Sequence, residues 1–290
     1  TLSAAQQSAI KLALRDFKLS GVALEGAAKT RYAEISARLS QLSSDFSNHV
    51  LDATQAYVKP LSDAQLKGLP VNSVELLKQY GQQHQLSQAA ATLDIPAYMA
   101  IMTYADDRDV RAELYKAYTT RASDQSEYPA FDNSQVMEEI LSLRQEMAQL
   151  LGFNNYAELS LASKMAPDVA TVEQFLIDLA EHARVPAEKE VAELKAIALA
   201  DGIADLQPWD TGYYSEKLKV QQYNLSQEAL KPYFPAPKIL QGLFSIVNRL
   251  YGINVVERQA PVWQSDVRYF ELEEHGVVLG GFYFDLYARS

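Results

Sequence analysis

The sequence contains no cysteine among its 290 residues. Disulfides, thiolate zinc sites and thiol catalysis are therefore excluded within these residues, and an absence of disulfides is typical of a cytoplasmic protein. Histidine is also scarce, and the four histidines, at positions 49, 84, 182 and 275, never lie three or four residues apart. No helix can therefore present the two imidazoles of an H-E-x-x-H zinc site. We expect neither a metal ligand nor a catalytic residue in this segment.

Long apolar runs and clusters of basic residues are missing as well. No run approaches the roughly 20 apolar residues that a membrane-spanning helix needs, and the first residues do not resemble a signal peptide. The formal net charge is −11, with scattered lysines and arginines. Nucleic acids and anionic membranes both require clustered basic residues. We therefore expect neither as a partner, and we predict a cytoplasmic location.

Acidic residues occur in adjacent pairs, and this spacing does not allow two carboxylates to act on the same substrate. Neighbouring side chains in a helix or strand point in different directions, so the two carboxylates of a pair do not meet at one substrate. The three pairs are Asp106-Asp107, Glu138-Glu139 and Glu273-Glu274. We interpret them as capping or solvated groups.

Helical periodicity accounts for most of the chain. Ser3 and Gln6 have the spacing of a capping box before a first helix that Gly21 ends. Apolar residues recur three and four positions apart from Ala27 to Ala53, and again after a cap at Asn133 or Ser134. These stripes predict a mainly α, helical bundle-like scaffold.

Two short β-hairpins are predicted beside the helices. Residues 55–60 and 90–95 both have extended patterns and are expected to pair. At the C-terminal end, two β-rich runs flank Glu273–Gly276, which is typical of a hairpin turn. In the second run Phe282, Phe284 and Leu286 share one face.

The opposite face of that last strand carries the candidate site. Tyr283, Asp285, Tyr287 and Arg289 are predicted either to line a substrate channel or to form a solvent-facing strand with an Asp-Arg pair. A second aromatic group, Tyr213–Lys217, is consistent with a binding cleft or with an anchor whose rings are buried.

Ten stretches, in order along almost the whole chain, resemble the thimet oligopeptidase family of zinc metallopeptidases. They are Leu93–Tyr98, Met102–Tyr104, Tyr118–Asp124, Asp132–Ser134, Met137–Ile140, Leu150–Phe153, Ser163–Ala166, Trp209–Asp210, Tyr213–Lys217 and Phe282–Arg289. The resemblance implies a two-lobed, mostly helical enzyme with a deep channel that admits short peptides. It also implies a bound zinc ion in the parent protein.

In that family the zinc ligands and catalytic residues lie downstream of the stretch that resembles Asp285–Arg289, so the resemblance assigns none of them to a position here. We therefore expect residues 1–290 to be an internal piece of a larger peptidase. Residues 1–260 would form the helical scaffold, and residues 261–290 a hairpin leading to the catalytic region. The segment alone is predicted to be inactive and to hold no zinc.

Two further expectations concern partners. A bare edge on the last strand, 278–287, invites association with another strand, including one from a second copy. A different class of function remains an alternative. A helical module that binds peptides or a partner protein without catalysis would also lack catalytic residues and would also be rich in tyrosine.

Overall fold

The structure, a computed structural model, describes residues 2–287, and the chain divides into two units. The first unit is Thr1–Thr211 and the second is Gly212–Ser290. The predicted fold class is confirmed, because the described residues are mainly helical with two small antiparallel sheets.

The first unit contains eight helices and a two-stranded sheet within the described residues. In chain order these are α1 (Ala4–Leu19), α2 (Gly26–Ala56), β1 (Val58–Pro60), α3 (Val71–Gln83), β2 (Ala90–Thr92), α4 (Ile95–Tyr104), α5 (Arg108–Thr119), α6 (Ser134–Leu150), α7 (Tyr156–Leu161) and α8 (Val169–Ala200). Helix α9 (Pro208–Tyr223) follows.

Helices α2 and α6 pack together along the apolar stripe that the sequence predicts. Ile35 and Leu42 of α2 are fully buried against Leu143 of α6. Two exposed ion pairs also connect α2 to α6, Arg31 with Glu146 and Arg38 with Glu139. In each pair the arginine donates two hydrogen bonds to the carboxylate. The buried side chains supply most of the stabilisation, since exposed ion pairs contribute little.

The predicted small hairpin is confirmed. Strand β1 pairs antiparallel with β2, and Val58 lies opposite Thr92. The main core of this unit lies beside the hairpin and includes Leu77 of α3, Ile101 of α4 and Leu114 of α5, all with no exposed surface. The hairpin and helices α3 to α5 thus share one apolar core.

The predicted caps are confirmed at α1 but not at α6. Ser3 and Gln6 form the reciprocal capping box. Asn133 precedes α6 without capping it. Its buried side-chain amide instead donates from Nδ2 to the carbonyl of Phe46, and its Oδ1 accepts from Nδ1 of His49 at 2.8 Å. Asp132 accepts from the Ser134 amide. Asn133 therefore ties α6 to α2 rather than capping the start of α6, because its buried side chain is hydrogen-bonded to polar groups of α2.

Helix α8 continues through Pro186 as one helix of 32 residues. The helix exposes large apolar side chains, among them Phe175, Ile177 and Val185. A proline costs one backbone hydrogen bond in a helix, but the turns on either side remain helical. An exposed apolar surface of this extent is typical of a contact region.

A buried ion cluster fixes the start of α9 to α5. The carboxylate of Asp210 has no exposed surface, and Arg108 and Arg111 both donate to it, with closest contacts of 2.7 and 2.9 Å. The amide of Gln207 also donates to Asp210 at 3.0 Å. Each carboxylate oxygen is therefore hydrogen-bonded, as a buried charge requires.

Gly81 in α3 gives the first testable prediction. A Cβ atom at this position would lie 2.0 Å from the carbonyl oxygen of Gln88, which is a backbone atom. Gly81→Ala is expected to lower the free energy of unfolding by about 1–3 kcal/mol, because the backbone must move.

Gly242→Ala is the matched control, since nothing lies within 4 Å of its added Cβ. There the usual helical preference for alanine is expected to add roughly 0.5–1 kcal/mol. Urea unfolding measures both, and equal effects would contradict the clash.

The second unit contains two further helices and a three-stranded sheet in its described part. They are α10 (Gln227–Leu230), α11 (Ala236–Tyr251), β3 (Asn254–Arg258), β4 (Arg268–Glu274) and β5 (Val277–Phe284). The strand order is β3-β4-β5, with both pairs antiparallel. Strand β3 is a finding beyond the predicted hairpin, since its residues Asn254–Arg258 lack a clear alternation.

Four phenylalanines form the aromatic core of this unit. Phe244 of α11 lies 5.0 Å from Phe270 of β4, measured between ring centroids, and Phe270 lies 5.6 Å from both Phe282 and Phe284 of β5. The predicted sharing of one face by Phe282 and Phe284 is confirmed, and this face packs on α11.

Candidate functional site

The hairpin of β4 and β5 turns at His275 and Gly276, as the sequence predicts. Both residues have positive φ angles, 49° and 80°, which is the backbone of a tight turn whose twist matches that of the strands. Glu274 lies opposite Val277 next to the turn. The turn therefore fixes where the second strand starts.

An irregularity two residues from the turn decides which side chains share a face. The register shifts between Leu272 and Glu273, so that Leu272 lies opposite Gly280 and Leu279 is the additional residue. Such a bulge rotates the side chains beyond it by one position. As a result Tyr269 lies opposite Tyr283, and both project from the face away from the phenylalanine core.

Three aromatic rings and one carboxylate meet on this second face. Tyr283 lies 4.8 Å from Tyr269 and 5.3 Å from Trp263. The indole N–H of Trp263 donates to the carboxylate of Asp285 at 3.0 Å. Tyr283 and Asp285 are thus brought together through Trp263, which the sequence did not indicate as a site residue.

The remaining predicted site residues are further from this group. Strand β5 ends at Phe284, and Tyr287 follows it with 60% of its surface exposed. Leu286 is exposed as well and does not join the phenylalanine core. Arg289 lies outside the described residues. The structure therefore places two of the four predicted residues in one aromatic cluster, defined by Tyr269, Tyr283, Trp263 and Asp285.

Gly281 makes room for this cluster. A Cβ atom on Gly281 would lie 2.1 Å from the hydroxyl oxygen of Tyr269. The Tyr269 ring therefore lies across the strand over a position with no side chain, as aromatic rings do over glycine in sheets. Gly281 could have indicated that an aromatic ring lies over it. The ring could be identified as that of Tyr269 only once the shifted register of β4 and β5 was known.

Ion pairs between arginine and glutamate side chains connect strands β3 and β4. Arg258 donates to Glu271 and Glu273 at 3.4 and 2.6 Å, and these hydrogen bonds raise the pKa of Arg258. Arg268 donates to Glu257, and this side-chain hydrogen bond lowers the pKa of Glu257. Glu257 therefore remains ionised at neutral pH and lacks the raised pKa of a general acid.

Strand β5 forms one edge of the sheet among the described residues. Its eight residues, Val277–Phe284, carry no charge, and Val277, Val278 and Leu279 are exposed. The other edge, β3, carries Glu257 and Arg258. Charged residues protect an edge against further pairing, so β5 is the edge open to another strand.

The other sequence candidates have structural explanations. The rings of Tyr213 and Tyr214 are buried and meet edge to face at 5.2 Å, as the anchor interpretation predicts. Asp107 caps α5 by accepting from the Asp109 and Val110 amides. His182 is exposed on α8, where its ring contacts the carbonyl oxygen of Asp178.

The described residues do not provide a zinc site. Within residues 2–287 no group of three or more histidine, cysteine, aspartate or glutamate side chains is close enough to hold a metal ion. A zinc ion requires three or four such ligands. These residues do not fit a zinc ion, and no chemical step through one is derived for them.

A search of the described helices for membrane spans is negative. None of them combines the length and the apolar character that crossing a bilayer would take.

The described residues thus define a mainly helical protein with a two-stranded and a three-stranded antiparallel sheet. Comparison with known proteins gives the family. The sequence pattern of peptidase family M3 matches residues 101–290, and the chain belongs to that family.

Relatives with curated names are similar over the whole chain. Oligopeptidase A of Escherichia coli is 51% identical over 295 residues, which is 100% of this chain and 43% of that protein. Two Arabidopsis thaliana proteins also cover 100% of this chain. The probable cytosolic oligopeptidase A is 37% identical with 42% of its length covered, and the organellar oligopeptidase A, of chloroplasts and mitochondria, is 36% identical with 38% covered. The chain thus spans less than half the length of these relatives.

Proposed function

We propose that this chain forms the helical scaffold and part of the channel wall of a zinc-dependent oligopeptidase that hydrolyses short peptides. The observation that carries the proposal is 51% identity to an oligopeptidase A over 100% of the chain. Identity of this extent across every element supports a shared arrangement of the parts. The exposed apolar side chains of α8 provide support from the structure, since such surfaces are typical of contact regions.

Residues 1–260 act in this proposal as scaffold, and residues 261–290 as the hairpin that leads to the catalytic region. The resemblance to the family implies that the zinc ligands lie outside these residues. The chain's own contribution is to bind and orient a peptide. An edge strand does this by adding the peptide as a further strand, with main-chain hydrogen bonds for affinity and side chains for selection.

The test of the proposed function compares two proteins. The whole product of the native gene is expected to cleave a quenched fluorescent oligopeptide and to lose this activity with a chelator. The 290-residue chain alone is expected neither to bind zinc stoichiometrically nor to cleave the peptide. Cleavage by the chain alone that survives chelation overturns the proposal. A gene that stops at the codon for Ser290 favours the non-catalytic binding module instead, and an H-E-x-x-H motif beyond it favours the peptidase.

The aromatic cluster gives a prediction about substrate binding. We place Tyr283, Asp285, Tyr287 and Arg289 along the peptide channel. Tyr283→Ala in the whole enzyme is expected to raise KM by about 3- to 10-fold with little change in kcat, because a lost aromatic contact is worth roughly 0.5–1.5 kcal/mol in both ground and transition states. Steady-state kinetics measure it.

Tyr233→Ala is the control for that measurement, because Tyr233 is an exposed tyrosine of the same unit that lies outside the sheet. An unchanged KM for Tyr283→Ala, or the same change in both variants, removes these residues from the channel.

The open edge gives a further prediction. Leu279→Lys in β5 is expected to weaken the binding of a short extended peptide to the chain at least about tenfold, since a lysine on an edge strand opposes further pairing. The same change should reduce any pairing between two copies. Amide shifts in an NMR titration measure peptide binding, and sedimentation equilibrium measures association.

Asn254→Lys adds the same charge at the start of β3, the opposite edge of the sheet, and is the matched control. If both variants weaken peptide binding equally, the loss comes from the added positive charge alone, and the proposal that the peptide pairs with the edge of β5 fails.

We also infer a cytoplasmic location. The cytosolic name of one plant relative and the absence of cysteine support this inference, while another plant relative carries an organellar name. Cell fractionation followed by detection of the intact protein tests it.

A further inference from the structure

Helix α11 has two apolar faces, and only one of them is buried. On the buried face, Leu240 is covered and the ring of Phe244 packs on Phe270 of β4. A helix at the surface of a protein normally has a single apolar stripe, whereas a helix that is apolar on more than one side is normally covered on each of those sides. The second apolar face of α11 is therefore a candidate contact surface.

The second face carries a row of four large aliphatic side chains, which we call the α11 stripe. They are Ile239, Leu243, Ile246 and Leu250, and between 44% and 68% of the surface of each is exposed. Their spacing of four, three and four residues places them above one another on one side of the helix. The row extends about 17 Å along the helix axis. Scattered exposed apolar residues are ordinary, but a contiguous row of this kind is typical of a surface that binds another protein segment.

The spacing of the α11 stripe indicates that its partner is a helix. Side chains three and four residues apart form the ridges that fit into the grooves of a second helix. An alternation of four and three residues is also the pattern of the apolar seam between two paired helices. An apolar row with the same spacing on the partner would therefore cover the stripe along its whole length.

Two basic side chains border the α11 stripe and indicate the charge of this partner. Lys238 and Arg249 each precede a member of the stripe by one position, so both lie along the same border, and both are exposed. A partner helix with carboxylates beside its apolar row would complement them. An antiparallel pair of α11 helices from two copies would instead bring Lys238 of one copy close to Arg249 of the other. Like charges oppose such a pair, so a second copy fits the stripe less well.

We propose that the α11 stripe packs against a helix of the peptidase that lies outside residues 1–290 and that carries acidic residues beside its apolar row. This inference rests on the proposed function, because it takes the chain to be part of a longer peptidase. The chain covers 43% of oligopeptidase A of Escherichia coli, so more than half the length of that relative is available to supply such a helix. Helix α11 then has two roles, since one face holds the phenylalanine core of the sheet and the other anchors the sheet to the rest of the enzyme.

A cysteine introduced into the α11 stripe measures whether the stripe is covered. The chain has no cysteine of its own, so Leu243→Cys places a single thiol among these residues. Its alkylation by a small maleimide, followed by mass spectrometry of the peptide that contains residue 243, is compared between the whole gene product and the 290-residue chain. The thiol is expected to react at least about tenfold more slowly in the whole gene product, because the reactivity of a thiol follows its exposure.

Two further variants test the face and the charge. Ser245→Cys is the matched control, because Ser245 is an exposed residue of the same helix that lies on the side opposite Leu243. Its thiol is expected to react at similar rates in both proteins. Arg249→Glu, added to Leu243→Cys, reverses the charge on the border of the stripe. It is expected to accelerate alkylation of the whole gene product by about 2- to 5-fold, relative to its effect in the 290-residue chain, since it replaces an attraction at the rim by a repulsion.

Equal rates for Leu243→Cys in the two proteins would overturn the proposal, as would protection of this thiol in the 290-residue chain that grows with protein concentration, because a second copy would then cover the stripe. An Arg249→Glu change without effect would contradict an acidic partner. Cleavage of a quenched fluorescent peptide by the native gene product is measured alongside. Cleavage without protection of residue 243 refutes this inference alone, whereas protection without cleavage refutes the proposed function alone.

Discussion

Asp210→Ala is expected to reduce the free energy of unfolding of the first unit by about 3–5 kcal/mol, because it leaves buried positive charge without its carboxylate. Asp210 has no exposed surface, and Arg111 is only 2% exposed. Arg108 and Arg111 both donate to this single carboxylate, as does the Gln207 amide.

Acid sensitivity follows from the same cluster. Burial by itself raises the pKa of Asp210, but the hydrogen bonds from Arg108, the Gln207 amide and Arg111 outweigh it, and the pKa is lowered. A carboxyl whose pKa is lower in the folded state stabilises the fold above its unfolded pKa of about 3.9. This stability is lost as the pH falls from about 5 through the folded-state pKa. Asp210→Asn is therefore expected to flatten the dependence of stability on pH in that range.

Tryptophan fluorescence during urea unfolding measures these effects. The chain has two tryptophans, Trp209 in the first unit and Trp263 in the second, so Trp263→Phe leaves a probe for the first unit. Asp16→Ala is the control, because Asp16 pairs with Arg15 at the surface. Its effect is expected to stay within roughly 0.5 kcal/mol. A loss for Asp210→Ala as small as this would show that the cluster is energetically replaceable.

Phe270→Ala is expected to cost about 3–5 kcal/mol in the second unit, since truncating a buried phenylalanine loses transfer free energy and leaves a cavity. Phe270 is 2% exposed and contacts the rings of Phe244, Phe282 and Phe284. Because this core holds β4 and β5 to α11, the variant should also lose the ordered edge of β5 and with it peptide binding.

Phe234→Ala serves as the comparison, because Phe234 is an exposed phenylalanine of the same unit. Trp263 fluorescence in a Trp209→Phe background reports on unfolding of this unit. If Phe270→Ala retained the amide shifts of peptide binding, the edge strand would not depend on the phenylalanine core.

Local features were predicted well from the sequence. The capping box at Ser3, the stripe of α2 through Ile35 and Leu42, the extended patterns of β1 and β2 and the turn at Gly276 all depend on residues close together in the chain. Helical and strand periods, caps and turn residues act within a few positions, so they can be read without knowing the fold.

The candidate site was predicted only in part, for a reason that lies in the register. Counting from the turn without a bulge places Tyr269 opposite Phe282. The extra residue at Leu279 moves Tyr269 opposite Tyr283 and Phe270 opposite Phe282. The contribution of Trp263 likewise depends on how a loop before β4 folds back on the sheet, which no local pattern indicates.

The sequence by itself determined where the first helix begins and ends, which faces of the long helices are apolar and that the last strands form a hairpin. Only the tertiary structure decided that Asp210 lies between two arginines and that Asn133 ties two helices together. Secondary structure follows from short-range sterics and hydrogen bonding, whereas the pairing of buried polar groups depends on residues up to about a hundred positions apart that meet only when the chain packs.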